Sequence, residues 1–92
     1  MDERFLPLMD LLREAAQAHH HVYQATNGDD PDWAIWYANY LYDKLPAHLG
    51  GVCLHRSDIV YLLKRLEYEH KSEAPGAEWK RFYARSLLFR YG

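Results

Sequence analysis

Three consecutive histidines have the most obvious potential for chemistry in this sequence. His19, His20 and His21 lie toward the end of a predicted helix, and imidazole nitrogens are common ligands of metal ions. Successive residues of an α-helix point about 100° apart, so the three side chains cannot bind one ion from a single regular helix. Metal binding would need His70 or His48 from another helix. The alternative is that His19 lies at the edge of the core and that the other two are in solvent.

Glu67 and His70 have the i, i+3 spacing that carboxylate-bridged di-metal bundles use. Such a site needs a second motif of the same kind, and the nearest one here is Gln17-x-x-His20, in which an amide replaces the acid. Because the set of ligands is incomplete, the spacing favours an ordinary surface glutamate and a histidine at the end of a bundle.

The sequence contains no recognisable catalytic assembly. The single cysteine, Cys53, has His55 nearby, but nothing places it at a helix N-terminus or supplies a third residue to orient the histidine. Gly-rich phosphate loops, nucleophile elbows and zinc-type cysteine pairs are also missing from the sequence. We therefore predict no catalytic residue, and an enzyme is the least favoured class of function.

The predicted C-terminal helix has a local excess of positive charge. It contains one acid, Glu78, and four basic residues, Lys80, Arg81, Arg85 and Arg90. Aromatic residues are interleaved with them, a combination that can contact a phosphate backbone. The same pattern is typical of a solvated helix with cations near its C-terminus, where the helix dipole favours them. Nucleic-acid contact through this helix is one interpretation that the sequence leaves open.

The aromatic residues that a binding site would use are concentrated in residues 30–45, DPDWAIWYANYLYDKL. Their i, i+3, i+4, i+7, i+8 spacing defines one helical face, formed by Trp33, Trp36, Tyr37, Tyr40 and Leu41. The polar residues occupy a narrow arc, so this helix is either the centre of a bundle or half of a subunit interface. Tyr and Trp are enriched at protein contacts. The predicted interaction residues are Trp33, Trp36, Tyr37, Tyr40 and Tyr42.

Start and stop signals divide the chain into four helices. The first begins near Pro7 and ends at Asn27-Gly28, and the second begins at the N-cap Asp30 and ends or kinks at Pro46. The third and fourth are predicted over about 57–71, with His55 or Ser57 at the N-cap, and about 77–90. Short loops favour antiparallel neighbours. We predict an all-α, four-helix bundle-like single domain over residues 1–92, with the second helix at its centre.

The second and fourth helices share an internal sequence similarity, which we call the internal echo. The motif DWxxWYAxxL at residues 32–41 aligns with EWxxFYAxxL at residues 78–87, at an offset of 46. Each copy follows a loop with proline and glycine, and each loop follows a helix with histidine near its end. The echo predicts two pseudo-repeated helix–loop–helix units. The alternative is that amphipathic helices that begin after a loop often look alike.

Composition is typical of a small soluble globular domain. The 92 residues are 49% hydrophobic and 26% charged, and the formal charge of −2 excludes a global positive field that would attract nucleic acid or anionic lipid. The acidic start differs from a signal peptide, and no apolar run is long enough to span a membrane. A single cysteine fits a reducing compartment. We expect a cytoplasmic protein with no membrane contact.

The motif DWxxWYAxYL at residues 32–41, preceded by a helix that ends in His and Tyr at 19–23, resembles that of a set of short uncharacterised bacterial helical proteins. Their layout consists of an acidic loop, the DWxxWYAxYL helix, a Leu-rich helix and a closing YAxxLL segment, which is matched here at residues 83–88. The resemblance implies a bacterial cytoplasmic origin and a helical fold. It implies no activity, cofactor or catalytic residue.

Three functions therefore remain open. The leading hypothesis is a small protein–protein interaction module that forms homo-oligomers, such as a homodimer, through the aromatic second helix. The first alternative is a metal-binding helical protein that uses His19, His20, His21 and His70. The second is nucleic-acid contact through the basic C-terminal helix. No cofactor is expected, except a metal ion under the first alternative.

Overall fold

Four α-helices form the fold. The computed structural model describes residues 3–27 and 29–91. The helices are α1 (Phe5–Val22), α2 (Trp33–Leu41), α3 (Arg56–Glu73) and α4 (Trp79–Tyr91), and two short 3₁₀ helices, Gln24–Thr26 and Leu45–Ala47, lie in the first two connections. The described residues contain no strand, so the predicted all-α, bundle-like fold is confirmed. None of the helices in these residues has the length and apolarity to cross a bilayer.

Two predicted helix ends are wrong, and a proline explains the second. Helix α1 ends at Val22, and the chain continues as a 3₁₀ helix that terminates at Asn27 in the left-handed conformation, with φ of 56°. The predicted Gly28 lies outside the described residues. Helix α2 ends at Leu41, because the ring of Pro46 would clash with the carbonyl of Tyr42 if the helix continued.

The later helices begin on carboxylates that accept otherwise unpaired backbone N–H groups. Ahead of α3, Asp58 Oδ2 accepts a hydrogen bond of 3.2 Å from the backbone N–H of His55, which is the N-cap residue. At α4, Glu78 Oε2 accepts one of 2.9 Å from the backbone N–H of Arg81. The prediction of His55 as one of two candidate N-caps is confirmed.

The helices pack in a ring. Helix α2 therefore does not lie at the centre, contrary to the prediction. Helix α2 packs mainly on α3 and α4 mainly on α1, while smaller contacts join α1 to α2 and α3 to α4. If α1 and α2 are exchanged with α3 and α4, the contact between α2 and α3 becomes the contact between α4 and α1. Two pseudo-repeated helix–loop–helix units are expected to show this relation. The buried residues of α2 are Ala34, Ala38 and Leu41, whereas Ile35 is 53% exposed. Alanine allows a close approach of neighbouring helices. The side of α2 that has small residues therefore faces the core, and its large aromatic side chains lie on either side of this contact.

The core is built mainly of leucine. Its largest fully buried side chains come from all four helices and from the connection between α2 and α3: Leu8, Leu12, Leu41, Leu45, Leu49, Ile59, Leu66 and Leu87. Rings that are only partly buried pack against this core, among them Trp33, Tyr37 and Trp79. The leucine core therefore positions a second, aromatic layer that stays open to solvent on part of its surface.

Candidate functional site

A cavity of about 430 Å³ lies where the four helices meet. Each helix contributes to its wall, and the lining residues are Leu12, Ala16, His19 and His20 from α1, Trp33 and Tyr37 from α2, Leu63 and Glu67 from α3, and Trp79 and Tyr83 from α4. We call this space the aromatic cavity. Its volume lies within the range that small-molecule sites occupy.

The four aromatic rings of the cavity form a chain of edge-to-face contacts. The centroid distances are 5.9 Å for Trp33–Tyr37, 6.4 Å for Tyr37–Trp79 and 5.3 Å for Trp79–Tyr83, with interplanar angles of 80°, 85° and 77°. This geometry is favourable for aromatic pairs because the positive edge of one ring meets the negative face of the next. Since neighbouring rings are nearly perpendicular, their faces point in different directions around the cavity.

The internal echo of the sequence places equivalent residues in this one cavity. Trp33 and Tyr37 of α2 correspond to Trp79 and Tyr83 of α4 at the offset of 46 residues. All four line the aromatic cavity. The repeated motif therefore supplies two halves of a single wall, one from each helix–loop–helix unit.

His19 connects α1 to the loop before α2. Its Nε2 lies 3.0 Å from Asp30 Oδ2, and the two side chains are only 9% and 6% exposed. Asp30 Oδ1 accepts a hydrogen bond of 3.0 Å from the backbone N–H of Asp32. Asp32, and not Asp30 as predicted, is the N-cap residue of α2, because the chain makes a turn at Pro31 and Asp32 before the helix begins. The imidazole also packs on three rings, with centroid distances of 4.7 Å to Tyr23, 5.0 Å to Trp36 and 5.2 Å to Tyr37. The predicted position of His19 at the edge of the core is confirmed.

His70 has the same arrangement in the second unit. Its Nε2 lies 2.6 Å from the backbone oxygen of Ala77, in the loop before α4. Its ring packs on Phe82 at 5.2 Å and on Tyr83 at 6.4 Å, the residues equivalent to those that His19 contacts in α2. In each unit, a histidine of the first helix therefore holds the following loop and the aromatic residues of the second helix.

Burial and charge keep the tyrosines of the cavity protonated. Burial raises the pKa of Tyr37, and the pKa of Tyr83 is raised first by burial and then by the negative charge of Glu67. Both hydroxyl groups therefore stay protonated, and able to donate a hydrogen bond, to a more alkaline pH than an exposed tyrosine does. The Glu67 carboxylate is half-buried, and its ion pair with Lys71 is long, at 3.9 Å.

The four histidines predicted as metal ligands do not come together. His20 and His21 are exposed, and the Nε2 atoms of His19 and His70 are engaged by Asp30 and Ala77. In the part of the chain that the structure describes, no group of three or more His, Cys, Asp or Glu residues is arranged to hold a metal ion.

The predicted interaction residues of α2 separate into two groups. Trp33 and Tyr37 line the aromatic cavity. Trp36 and Tyr40 are half-buried outside its lining and stack on each other, with centroids 5.4 Å apart and an interplanar angle of 14°. Tyr42 is exposed beyond the end of α2, and the Arg56 guanidinium lies 4.1 Å from the centre of its ring.

The basic residues of α4 are largely engaged within the chain. Lys80 Nζ lies 2.6 Å from Glu78, and Arg90 forms a 3.0 Å ion pair with Glu69. A hydrogen bond from Arg65 and the pair with Arg90 lower the pKa of Glu69. Arg81 lies 5.8 Å from the ring of Phe5, and Arg85 is exposed. A phosphate backbone would therefore have to compete with carboxylates for two of the four cations.

Sequence reasoning missed the second half of the cavity wall. In the sequence, Trp79 and Tyr83 stand out only as part of the internal echo and Glu67 is interpreted as a surface residue, yet all three line the cavity. The echo contained the missing signal, because it relates the first two to Trp33 and Tyr37. No sequence pattern pointed to the contact of His19 with Asp30, which crosses a loop between residues 11 positions apart.

Comparison of the chain with protein-family models, with curated proteins and with solved structures found no match.

Proposed function

We propose that this protein is a small binding module that binds an apolar group in the aromatic cavity. The observation that carries the proposal is the convergence of Trp33, Tyr37, Trp79 and Tyr83 from both units on a space of about 430 Å³. Three of these rings are only partly buried in the chain itself. A bound group would remove more of their apolar surface from water, which is the main source of affinity in such sites.

The hydrogen bonds behind the rings support this proposal because they hold the cavity in shape. His19 and His70 each join a helix to the next loop, and each packs on an aromatic residue of the wall. A wall that is ordered before the ligand arrives loses less conformational entropy on binding. The protein therefore has a largely preformed site.

Uncharged apolar probes are expected to bind in the cavity and to shift the indole N–H signals of Trp33 and Trp79 in NMR spectra. We would titrate benzyl alcohol and neohexyl alcohol, which has a tert-butyl group at its end, into the ¹⁵N-labelled protein. The chain has three tryptophans, and the signal of Trp36, which packs on His19 but does not itself line the cavity, should shift less than the other two.

A variant that fills the space tests whether these shifts come from the cavity. Ala16 lines the cavity, so Ala16→Phe is expected to abolish saturable binding. Gln17→Phe adds the same ring at an exposed position of the same helix and should leave binding intact. If no probe, charged or uncharged, gives a saturable shift in the unmodified protein, the proposed function is wrong.

Self-association through α2 is a second candidate function, favoured by the apolar residues that the bundle leaves uncovered there. Ile35 is 53% exposed, and the half-buried Trp36 and Tyr40 lie beside it on the helix. Asn39 lies on the same side of α2, and the exposed Asp32 and Asp43 lie on that side beyond the two ends of the helix. A second copy of the chain would therefore meet carboxylates only at the ends of this face.

Light scattering coupled to size-exclusion chromatography checks this candidate. The unmodified chain is expected to elute as a dimer and Ile35→Glu as a monomer, because the substitution places a charge in the contact. Val22→Glu, at an exposed aliphatic position of α1, should leave the dimer unchanged. A monomer for the unmodified chain would remove self-association and would leave the cavity proposal untouched.

A further inference from the structure

Resting on the binding role proposed above, we infer that the aromatic cavity selects a methylated ammonium group over an uncharged group of the same shape. The inference concerns the chemistry of the ligand and depends on three features of the cavity: the electron-rich ring faces, the single carboxylate among its described lining residues, and the way in which cations already lie over its tryptophans.

The tryptophans of the cavity attract cations within the chain itself. Lys64 Nζ lies 5.1 Å from the ring centroid of Trp33, and Lys80 Nζ lies 4.9 Å from that of Trp79. Both distances are within the range of cation–π attraction, which is strongest for Trp. Neither lysine lines the cavity. The rings that form the wall are therefore chemically suited to hold a positive charge.

Glu67 supplies negative charge to the same space. It is the one carboxylate among the described residues of the lining, which include no lysine or arginine. It forms an ion pair with Lys71 Nζ at 3.9 Å, on an exposed side chain. An ion pair of this length in solvent is weak, so a cation in the cavity can replace it without a large loss.

The wall favours a methylated ammonium over a bare one. A bare ammonium is strongly hydrated and has three hydrogens that need acceptors when it leaves water. Rings satisfy these hydrogens poorly, whereas methyl groups spread the charge and pack directly on aromatic faces. This head group occurs in free choline-type molecules and in the side chain of trimethylated lysine, and the cavity would recognise both by the same contacts.

The decisive comparison is between choline and neohexyl alcohol, its uncharged carbon analogue. We expect choline to bind about tenfold more tightly at about pH 8, where free imidazole is neutral, as judged by saturable shifts of the Trp33 and Trp79 indole signals. Free trimethyllysine tests the second source of the head group. Whichever of choline and trimethyllysine has the higher affinity identifies the source. Equal affinity for choline and its uncharged analogue would overturn the inference and leave the binding function standing.

Two charge variants test the electrostatic contribution to choline binding, and their expected effects on the affinity have opposite signs. Glu67→Gln should weaken choline binding about fivefold, and Lys64→Gln should strengthen it about twofold, because one removes an attractive charge and the other a competing cation. Saturable binding of neohexyl alcohol shows that both variants are folded. Lys64→Gln should bind it as the unmodified protein does, and in Glu67→Gln the loss of choline affinity should exceed any change in neohexyl alcohol affinity. A choline affinity that neither variant changes would refute the role of charge, and failure of every ligand would refute the binding function as well.

Discussion

Replacement of Asp30 with alanine is expected to lower the free energy of unfolding by about 3 kcal/mol. The substitution removes two contacts at once, one to His19 Nε2 and one to the backbone N–H of Asp32, both at 3.0 Å. It also leaves the imidazole of His19, which is 7% exposed, without its hydrogen-bond partner. Urea denaturation monitored by far-UV circular dichroism measures the loss, which is a large fraction of the stability of a domain of this size.

The neighbouring acid provides a matched control. Asp29 is exposed, so Asp29→Ala should change the free energy of unfolding by less than about 0.5 kcal/mol. Asp30→Asn keeps one oxygen to accept the hydrogen bond from Asp32 N–H and replaces the oxygen near His19 with an amide NH₂, so its stability should fall between the two. Equal stability of Asp29→Ala and Asp30→Ala would contradict the view that the His19–Asp30 contact holds the first unit together.

Leu41→Ala and Leu87→Ala are each expected to destabilise the protein by about 2–5 kcal/mol, and by similar amounts. The two leucines occupy equivalent positions of the internal echo, one in α2 and one in α4, and they are 1% and 2% exposed. Truncation removes apolar contacts and leaves a space that a closely packed core fills only in part. The same urea titration gives both values.

Leu6→Ala is the control for this pair, because Leu6 is 60% exposed and its truncation should cost less than about 1 kcal/mol. The comparison also tests the relation between the two units. A large loss at one leucine with a loss below about 1 kcal/mol at the other would mean that the echo in the sequence does not correspond to equivalent packing.

Most helix starts could be predicted because they depend on neighbouring residues, but α2 begins at Trp33, with Asp32 and not Asp30 at its N-cap. The stripe of α1 and the N-cap His55 both follow from local patterns. The end of α2 was misplaced because Pro46 acts on the carbonyl four residues earlier, and the pattern of apolar residues continues past that point. The prediction that α2 lies at the centre was wrong, because a helix that is apolar over a wide arc does not reveal which residues of that arc contact the core. Ala34 and Ala38 do so, and they allow close packing where larger side chains would not.

The site was harder to predict because it depends on four helices at once. Trp33 and Tyr37 are among the predicted interaction residues. The prediction was that they form an interface with another protein, whereas in the structure they line a cavity. Glu67 was assigned to solvent because its spacing to His70 suggested only metal chemistry. Its real neighbour in the site, Tyr83, lies in another helix. A sequence pattern within one helix contains no information about such a contact.

The pairing of helices has a consequence for how the two halves of the chain depend on each other. The larger contacts join α2 to α3 and α1 to α4, so they run between the helix–loop–helix units and not within them. A half-chain that ends before α3 would leave most of its apolar surface in water, and it would regain its partners from a separate second half. Two intact chains that exchange halves could re-form the contacts between helices, while the segment between α2 and α3, which contains the buried Leu45 and Leu49, would have to change conformation. Domain swapping is therefore a mode of misassembly that this pairing of helices allows.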